Sequence, residues 1–297
     1  MNRGSTIKLD TDEKLILERR MIVRHQLLEL DHEMCIGCHI GILGCPQDAV
    51  VLVPAQIEKG KLIAKPRVDI DAEKCNFCGA CAVLCPTSAI RLMVDREPEI
   101  PVIEYEIFPD LIKEVLVEVE KCQPDCKLAC QEVCPTKCIE IATKQNDDGV
   151  ITEIVDVEIN FDHCHYCTEC APACPEGAFT VIKPWEGRLL LDISLCPKGC
   201  QACVDVCPTN ALRMKKKKLV GDESLCLFCG ACEEVCPEEG ALLVKRSRIR
   251  HSEPKLGTWT DVLEKLVSYK AKLEEFEVEA QTSRLDVMRY LPGVKKE

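Results

Sequence analysis

The feature that most constrains this chain is the spacing of its cysteines. Cys75, Cys78, Cys81 and Cys85 read C-x2-C-x2-C-x3-C and are followed by Pro86. The same pattern returns at Cys164, Cys167, Cys170, Cys174 and at Cys226, Cys229, Cys232, Cys236, each again before a proline. Cys196, Cys200, Cys203 and Cys207 carry one extra residue in the first gap, while Cys122, Cys126, Cys130 and Cys134 have three residues in every gap. The first group holds only Cys35, Cys38 and Cys45, with Gly41 where the third cysteine stands elsewhere. Cys138 brings the total to 24 of 297 residues, near the level of a scaffold held by disulfides or metal.

The repeat extends beyond the cysteines. Ahead of most groups lies a short aliphatic run and a polar step, as in "LLELDHEMC", "PRVDIDAEKC" and "VEINFDHC". Behind each closing cysteine comes Pro, then usually a small residue and an aliphatic one, as in "CPQDAV", "CPTSAI" and "CPEGAF". Each unit reads as strand, cysteine loop, short helix, strand. The expected class is α+β, built from tandem ferredoxin-like two-cluster units with short strands and helices. The simplest division pairs the groups in order: 1–95 with an N-terminal extension, 96–183, 184–250, and a C-terminal helical extension over 251–297. Residues 96–121 link the first pair to the second, and "KPWEGR" marks the next boundary. Nested pairing is the alternative.

Charge and hydropathy narrow the chemistry. With 38 Lys and Arg against 50 Asp and Glu the net charge is −12, which argues against nucleic-acid binding. The N-terminal "MNRGSTIKLDTDEKLILERR" shows no secretory signal, and no apolar run is long enough for a membrane span. These readings predict a cytoplasmic protein. In a reducing compartment clustered cysteines mean metal.

C-x2-C-x2-C-x3-C-P is the bacterial-type ferredoxin run. Three closely spaced thiolates on one loop reach three irons of a cubane, and the fourth cysteine reaches the neighbouring cluster. Structural zinc uses two separated CxxC knuckles instead. The spacing Cys196-x3-Cys200-x2-Cys203 matches a radical-enzyme site, but Cys207-Pro208 follows at the ferredoxin position. Carried over from the ferredoxin pattern, six ligand sets follow. Site 1 takes Cys35, Cys38 and Cys85; site 2 takes Cys45, Cys75, Cys78 and Cys81. Site 3 takes Cys122, Cys126, Cys130 and Cys174; site 4 takes Cys134, Cys164, Cys167 and Cys170. Site 5 takes Cys196, Cys200, Cys203 and Cys236; site 6 takes Cys207, Cys226, Cys229 and Cys232. The expectation is about six [4Fe–4S] clusters, with site 1 one thiolate short: a [3Fe–4S] cluster, or four irons with water or another side chain as ligand. His39 and Cys138 are candidates. Cys138 aligns with Ala49, Ala89, Ala178 and Ala211, which favours packing.

Two further segments have readings of their own. Lys215–Lys218 reads as a hairpin turn. Trp259, Val262, Leu263, Leu266, Tyr269, Leu273 and Phe276 recur at helical spacing, with Thr258 and Asp261 fitting a capping box. That helix either folds back or docks on a partner. No acid–base pair, nucleophile triad or phosphate loop is present, so no catalytic site of the chain's own is expected.

Over its length the chain resembles the polyferredoxins of anaerobic archaea, and more narrowly the polyferredoxin subunit of formylmethanofuran dehydrogenase. The order of spacings, "EIFPDLIKEVLVEVEKC" and "SRIRHSEPKLGTW" carry the narrower likeness. Some members have eight motifs where this chain has six. The resemblance implies an electron-transfer subunit in a large complex of methanogenesis, conducting low-potential electrons to or from a CO2-reducing enzyme, with ferredoxin or a heterodisulfide reductase as further partners. A hydrogenase or heterodisulfide reductase subunit, or a free multi-cluster carrier, are the alternatives.

Overall fold

The backbone is organised by strand pairs that tie the cysteine groups together two by two. The computed structural model describes residues 5–255 and 257–267. The strand ahead of one group pairs antiparallel with the strand behind the next: His25–Asp31 with Ile90–Val94, Glu114–Val117 with Phe179–Ile182, and Trp185–Leu191 with Leu242–Ile249. The inner strands pair as well: Val50–Val53 with Arg67–Ile70, Ile139–Gln145 with Ile151–Ile159, and Leu212–Lys215 with Lys218–Gly221. The last of these is the lysine hairpin, closed by Lys216 and Lys217 with both φ positive, as a two-residue turn requires.

The short helices fall inside the cysteine runs rather than after the proline. Ile40–Leu43, Ala80–Leu84, Ala129–Val133, Cys170–Ala173, Ala202–Asp205 and Ala231–Glu234 each span the position of the third cysteine. Each is only four or five residues long because a Cys-Pro step follows: proline disfavours helical ψ in the residue before it. Cys85, Cys134 and Cys174 are accordingly extended.

The N-terminal extension forms a hairpin, Ser5–Asp10 with Lys14–Arg20, which completes a five-stranded sheet with His25–Asp31, Ile90–Val94 and Glu97–Pro98. Leu15, Leu17, Leu28 and Leu30 alternate along two of these strands and are almost fully buried, the period-two pattern of a sheet with one covered face.

The first pair has a core of its own around Leu15, Leu28, Ile70 and Phe77, and shares a second one with the third pair. Ile40 and Leu84 of the first, Trp185 and Phe228 of the third, Phe108 of the linker and Trp259 belong to one buried cluster. The linker is thus structural: it holds the helix Pro101–Glu104, and its end supplies the strand Glu114–Val117 to the second pair.

The helix Thr258–Leu266 folds back on this core. Trp259 meets Phe108 edge-on with ring centroids 5.1 Å apart, and its indole N–H donates to His251 Nε2 at 3.2 Å. The expected capping box is absent: the helix begins at Thr258, with Gly257 as the capping residue and no side-chain cap. Thr258 therefore sits inside the first turn, one position too late to cap. Tyr269, Leu273 and Phe276 lie outside the described residues.

Candidate metal centres

The cysteine loops are shaped by left-handed residues at fixed offsets. Two residues after the first cysteine, Gly37, Phe77, Tyr166 and Phe228 all have positive φ. This step turns backbone N–H groups toward sulfur, and Phe228 N–H donates to Cys226 Sγ at 3.3 Å. Three residues after the closing cysteine, Asp48, Ser88, Lys137 and Gly177 are left-handed too. The next N–H then donates to the closing sulfur: Ala49 to Cys45 at 3.3 Å, Ala89 to Cys85 at 3.2 Å, and Ala178 to Cys174 at 3.3 Å. Such bonds stabilise thiolate over thiol. In the third group the longer gaps are absorbed by consecutive left-handed residues, Lys127 and Leu128.

Three cysteine quartets line cavities. Cys122, Cys126, Cys130 and Cys174 surround one. Cys134, Cys164, Cys167 and Cys170 surround another, and Cys196, Cys200, Cys203 and Cys236 a wider one. Elsewhere proximity shows in mutual electrostatics, within sets and between neighbouring ones: Cys81 is acted on by Cys78, Cys75, Cys45 and Cys85; Cys38 by Cys229, Cys85 and Cys35; Cys232 by Cys229, Cys226, Cys207 and Cys203. Among the described residues no three His, Cys, Asp or Glu side chains converge as they would on a single ion. Sulfurs spread around a cavity fit a cubane.

Burial pushes these thiols up, Cys226 and Cys170 to about 11 and 12, and Cys229 and Cys203 to about 12. Buried thiolates repel one another without a cation among them. Iron would supply that charge, which is a second sign of fit. A third is His165: both ring nitrogens are buried without a partner beside the fourth quartet, and burial lowers its pKa to about 4.

Two of the sequence-derived candidates have other company. Cys138 lies in the cavity of site 4, its Sγ 3.5 Å from Cys134 Sγ, remote in the chain from Cys35 and Cys38. His39 Nε2 contacts Glu234 Oε1 at 3.0 Å. Gly41 sits in the helix Ile40–Leu43, and a Cβ there would meet Val50 and Cys81 at ordinary contact distances, 3.9 and 4.0 Å. The loop before it differs too: Gly79, Thr168 and Gly230 are left-handed four residues after the first cysteine, whereas His39 has φ −75°.

Sequence reasoning missed three cations that lie where the pairs meet. Arg246 donates to the carbonyls of Phe228 at 2.9 Å and Cys229 at 3.3 Å, and interacts electrostatically with both Cys229 and Cys38. Lys183 donates to the carbonyls of Glu223, Ser224 and Cys226, and also senses Cys167. Lys113 stands over the Tyr166 ring at 5.1 Å and senses Cys85 and Cys164. One cysteine loop from each pair therefore meets the others across a cation. Nothing in the local sequence signals this, because each cation sits outside the motifs it serves.

Comparison with known proteins decides the family. The 4Fe-4S dicluster domain model matches residues 34–89, 121–178 and 196–240, slightly more than half of the chain, and each match holds two cysteine groups. The chain belongs to the 4Fe-4S dicluster family. Among solved structures it is similar, at TM-score 0.77 and 29% identity, to a component of the formate dehydrogenase – heterodisulfide reductase – formylmethanofuran dehydrogenase complex from Methanospirillum hungatei, covering 89% of this chain and 92% of that one. It is 30% identical to a polysulfide reductase component of Wolinella succinogenes over 48% of this chain and 71% of that protein. It is 26% identical to one component of the Na(+)-translocating ferredoxin:NAD(+) oxidoreductase complex of Acetobacterium woodii over 47% of this chain, spanning only 36% of that protein. Within the dicluster family, then, this chain is an iron–sulfur electron-transfer subunit with tandem dicluster domains and multiple [4Fe–4S] clusters. Among the described residues no helix is long and apolar enough to cross a membrane.

Proposed function

We propose that the chain conducts low-potential electrons to or from a CO2-reducing formylmethanofuran dehydrogenase-type complex, as one of its subunits. The observation that carries this reading is the likeness to the Methanospirillum complex component, which spans nearly all of both chains. The Wolinella and Acetobacterium relatives match only about half of this one. Ferredoxin or a heterodisulfide reductase is the further partner in this reading.

The clusters number about six, held by the six ligand sets of the ferredoxin pattern: Cys45, Cys75, Cys78 and Cys81 for site 2, and likewise through site 6. Site 1 has three thiolates, Cys35, Cys38 and Cys85, and binds three irons or four with one non-cysteine ligand. When bound, the clusters supply one-electron redox chemistry at low potential. The residues of this chain hold them, shield them from water, and donate backbone N–H bonds to their sulfurs. Support for the sets is the shared cavities and the mutual electrostatics of each quartet.

The match to the polysulfide reductase component favours a second reading, service to another oxidoreductase of the same general kind. Affinity purification of the tagged chain from its native cell separates the two. Recovery of formylmethanofuran dehydrogenase subunits in stoichiometric amount is expected; recovery of another reductase alone would replace this assignment with the second.

A further inference from the structure

Sites 3 and 5, which do not touch the three junction cations, differ in character. The cavity of site 3 is lined by Ile141, Ile154, Val157, Phe179 and Glu176, with no lysine. The cavity of site 5 is wider and its wall includes Lys198, Lys217 and Lys218. These come from different segments: the cysteine loop itself and the Lys216–Lys217 turn. A third segment joins them. The hairpin of Gln56–Glu58 and Lys61–Ala64 presses its tip on the loop: Gly60 carbonyl accepts from Gln201 N–H at 2.8 Å. Gly60 has φ +77°, and a Cβ there would stand 2.7 Å from Cys200 Cα. Lys59 and Lys61 flank that contact. All five lysines are exposed, and among the described residues none of the five forms an ion pair. Beside them Ile193, Leu195 and Met214 expose large apolar side chains.

In a chain of net charge −12, lysines drawn from three segments around one cluster cavity concentrate positive potential at that point. The wall of the cavity carries three lysines and no acidic residue, and clustered like charge beside exposed apolar side chains suits an electrostatically steered, transient interface. We propose that the surface around Cys196, Cys200, Cys203 and Cys236 is the docking port for a small acidic electron-carrier protein that brings its own cluster. The inference rests on the reading of this chain as an electron conductor. In the exchange one electron passes from the carrier's reduced cluster to the oxidised cluster of site 5, or back; no bond forms or breaks and no proton moves.

The test uses the full chain with its clusters and a dithionite-reduced, desalted small acidic two-cluster ferredoxin as probe. The rate at which the probe bleaches the chain is followed by stopped flow at increasing NaCl. Wild-type rates should fall as salt rises. The variant Lys198→Glu, Lys217→Glu, Lys218→Glu should react at least about tenfold more slowly at low salt, the lower bound of steering effects, and lose the salt dependence. Its iron content and its reduction by excess dithionite should match wild type. A charge-matched variant away from this cavity, Lys14→Glu, Lys121→Glu, Lys144→Glu, should keep the wild-type rate. Equal slowing in both variants, or a wild-type rate that does not fall with salt, would overturn the port. A chain that dithionite does not bleach at all would overturn the conductor reading itself, and the port with it.

Discussion

His39 Nε2 lies 3.0 Å from Glu234 Oε1, so the residue after Cys38 in the first group is tied to the helix that carries Cys232 in the last. This contact engages Nε2 and leaves Nδ1 as the one imidazole nitrogen that could serve as a ligand. It also fixes the incomplete first site against the complete sixth one.

Site 1 should therefore be spectroscopically distinct. If it holds three irons, the oxidised protein shows a three-iron EPR signal, and Gly41→Cys removes it; the added side chain finds only ordinary contacts with Val50 and Cys81. Cys138→Ala should leave the signal alone, because Cys138 sits beside Cys134. His39→Ala should also leave it, while loosening an exposed pair at a cost of about 0–1 kcal/mol. Loss of a cluster signal on His39→Ala would identify the imidazole as a ligand.

Cofactor analysis gives the broadest check. Anaerobically prepared protein should contain iron and acid-labile sulfide in nearly equal amounts, corresponding to close to six clusters. Zinc in place of iron, with no sulfide, would contradict both the cavity shapes and the loop geometry.

Arg246 should tune the clusters on either side of it. Its guanidinium bonds to the loop of Cys229 and senses Cys38. Arg246→Gln removes a positive charge, which disfavours the extra electron of a reduced cluster. A unit charge a few ångströms away, at an effective dielectric near 20, implies a shift of roughly 0.1 V to more negative potential. Arg246→Lys should retain most of the wild-type value. A redox titration followed by EPR measures both, and identical midpoints in the Gln variant would exclude the role.

Trp259→Ala should destabilise the whole chain. The indole is 1% exposed and packed against Phe108 and His251. Its removal leaves a cavity and costs about 3–5 kcal/mol. The expected readout is a lowered thermal midpoint with faster bleaching of cluster absorbance in air. If the variant melts like wild type, the helix contributes little to the core.

Much of the local structure was legible because it is local. A cysteine at a fixed offset from a proline sets the length of a helix, and the aliphatic runs flanking each group became the paired strands. What could not be read is what joins distant segments. Ile40, Phe108 and Trp259 share one core although they come from opposite ends of the chain, and no periodicity encodes that. Gly60 looks like any turn glycine until Cys200 is found against it. The capping box failed for a different reason: Thr258 and Asp261 have the right types, but the register was one residue off, and only the backbone fixes register.

The clasp between the linker and the residues after the last strand also bears on how the first site is completed. Ile112 N–H donates to Arg250 carbonyl, and Ser252 N–H to Asp110 carbonyl, beside the packing of Trp259 on Phe108. A ribosome delivers the first cysteine loops long before it delivers these residues. Until then the cluster that buries Ile40 and Leu84 lacks Trp259, Val262 and Leu266. Residues far later in the chain thus complete the core beside the first site, so the integrity of that core and the retention of metal at Cys38 are coupled.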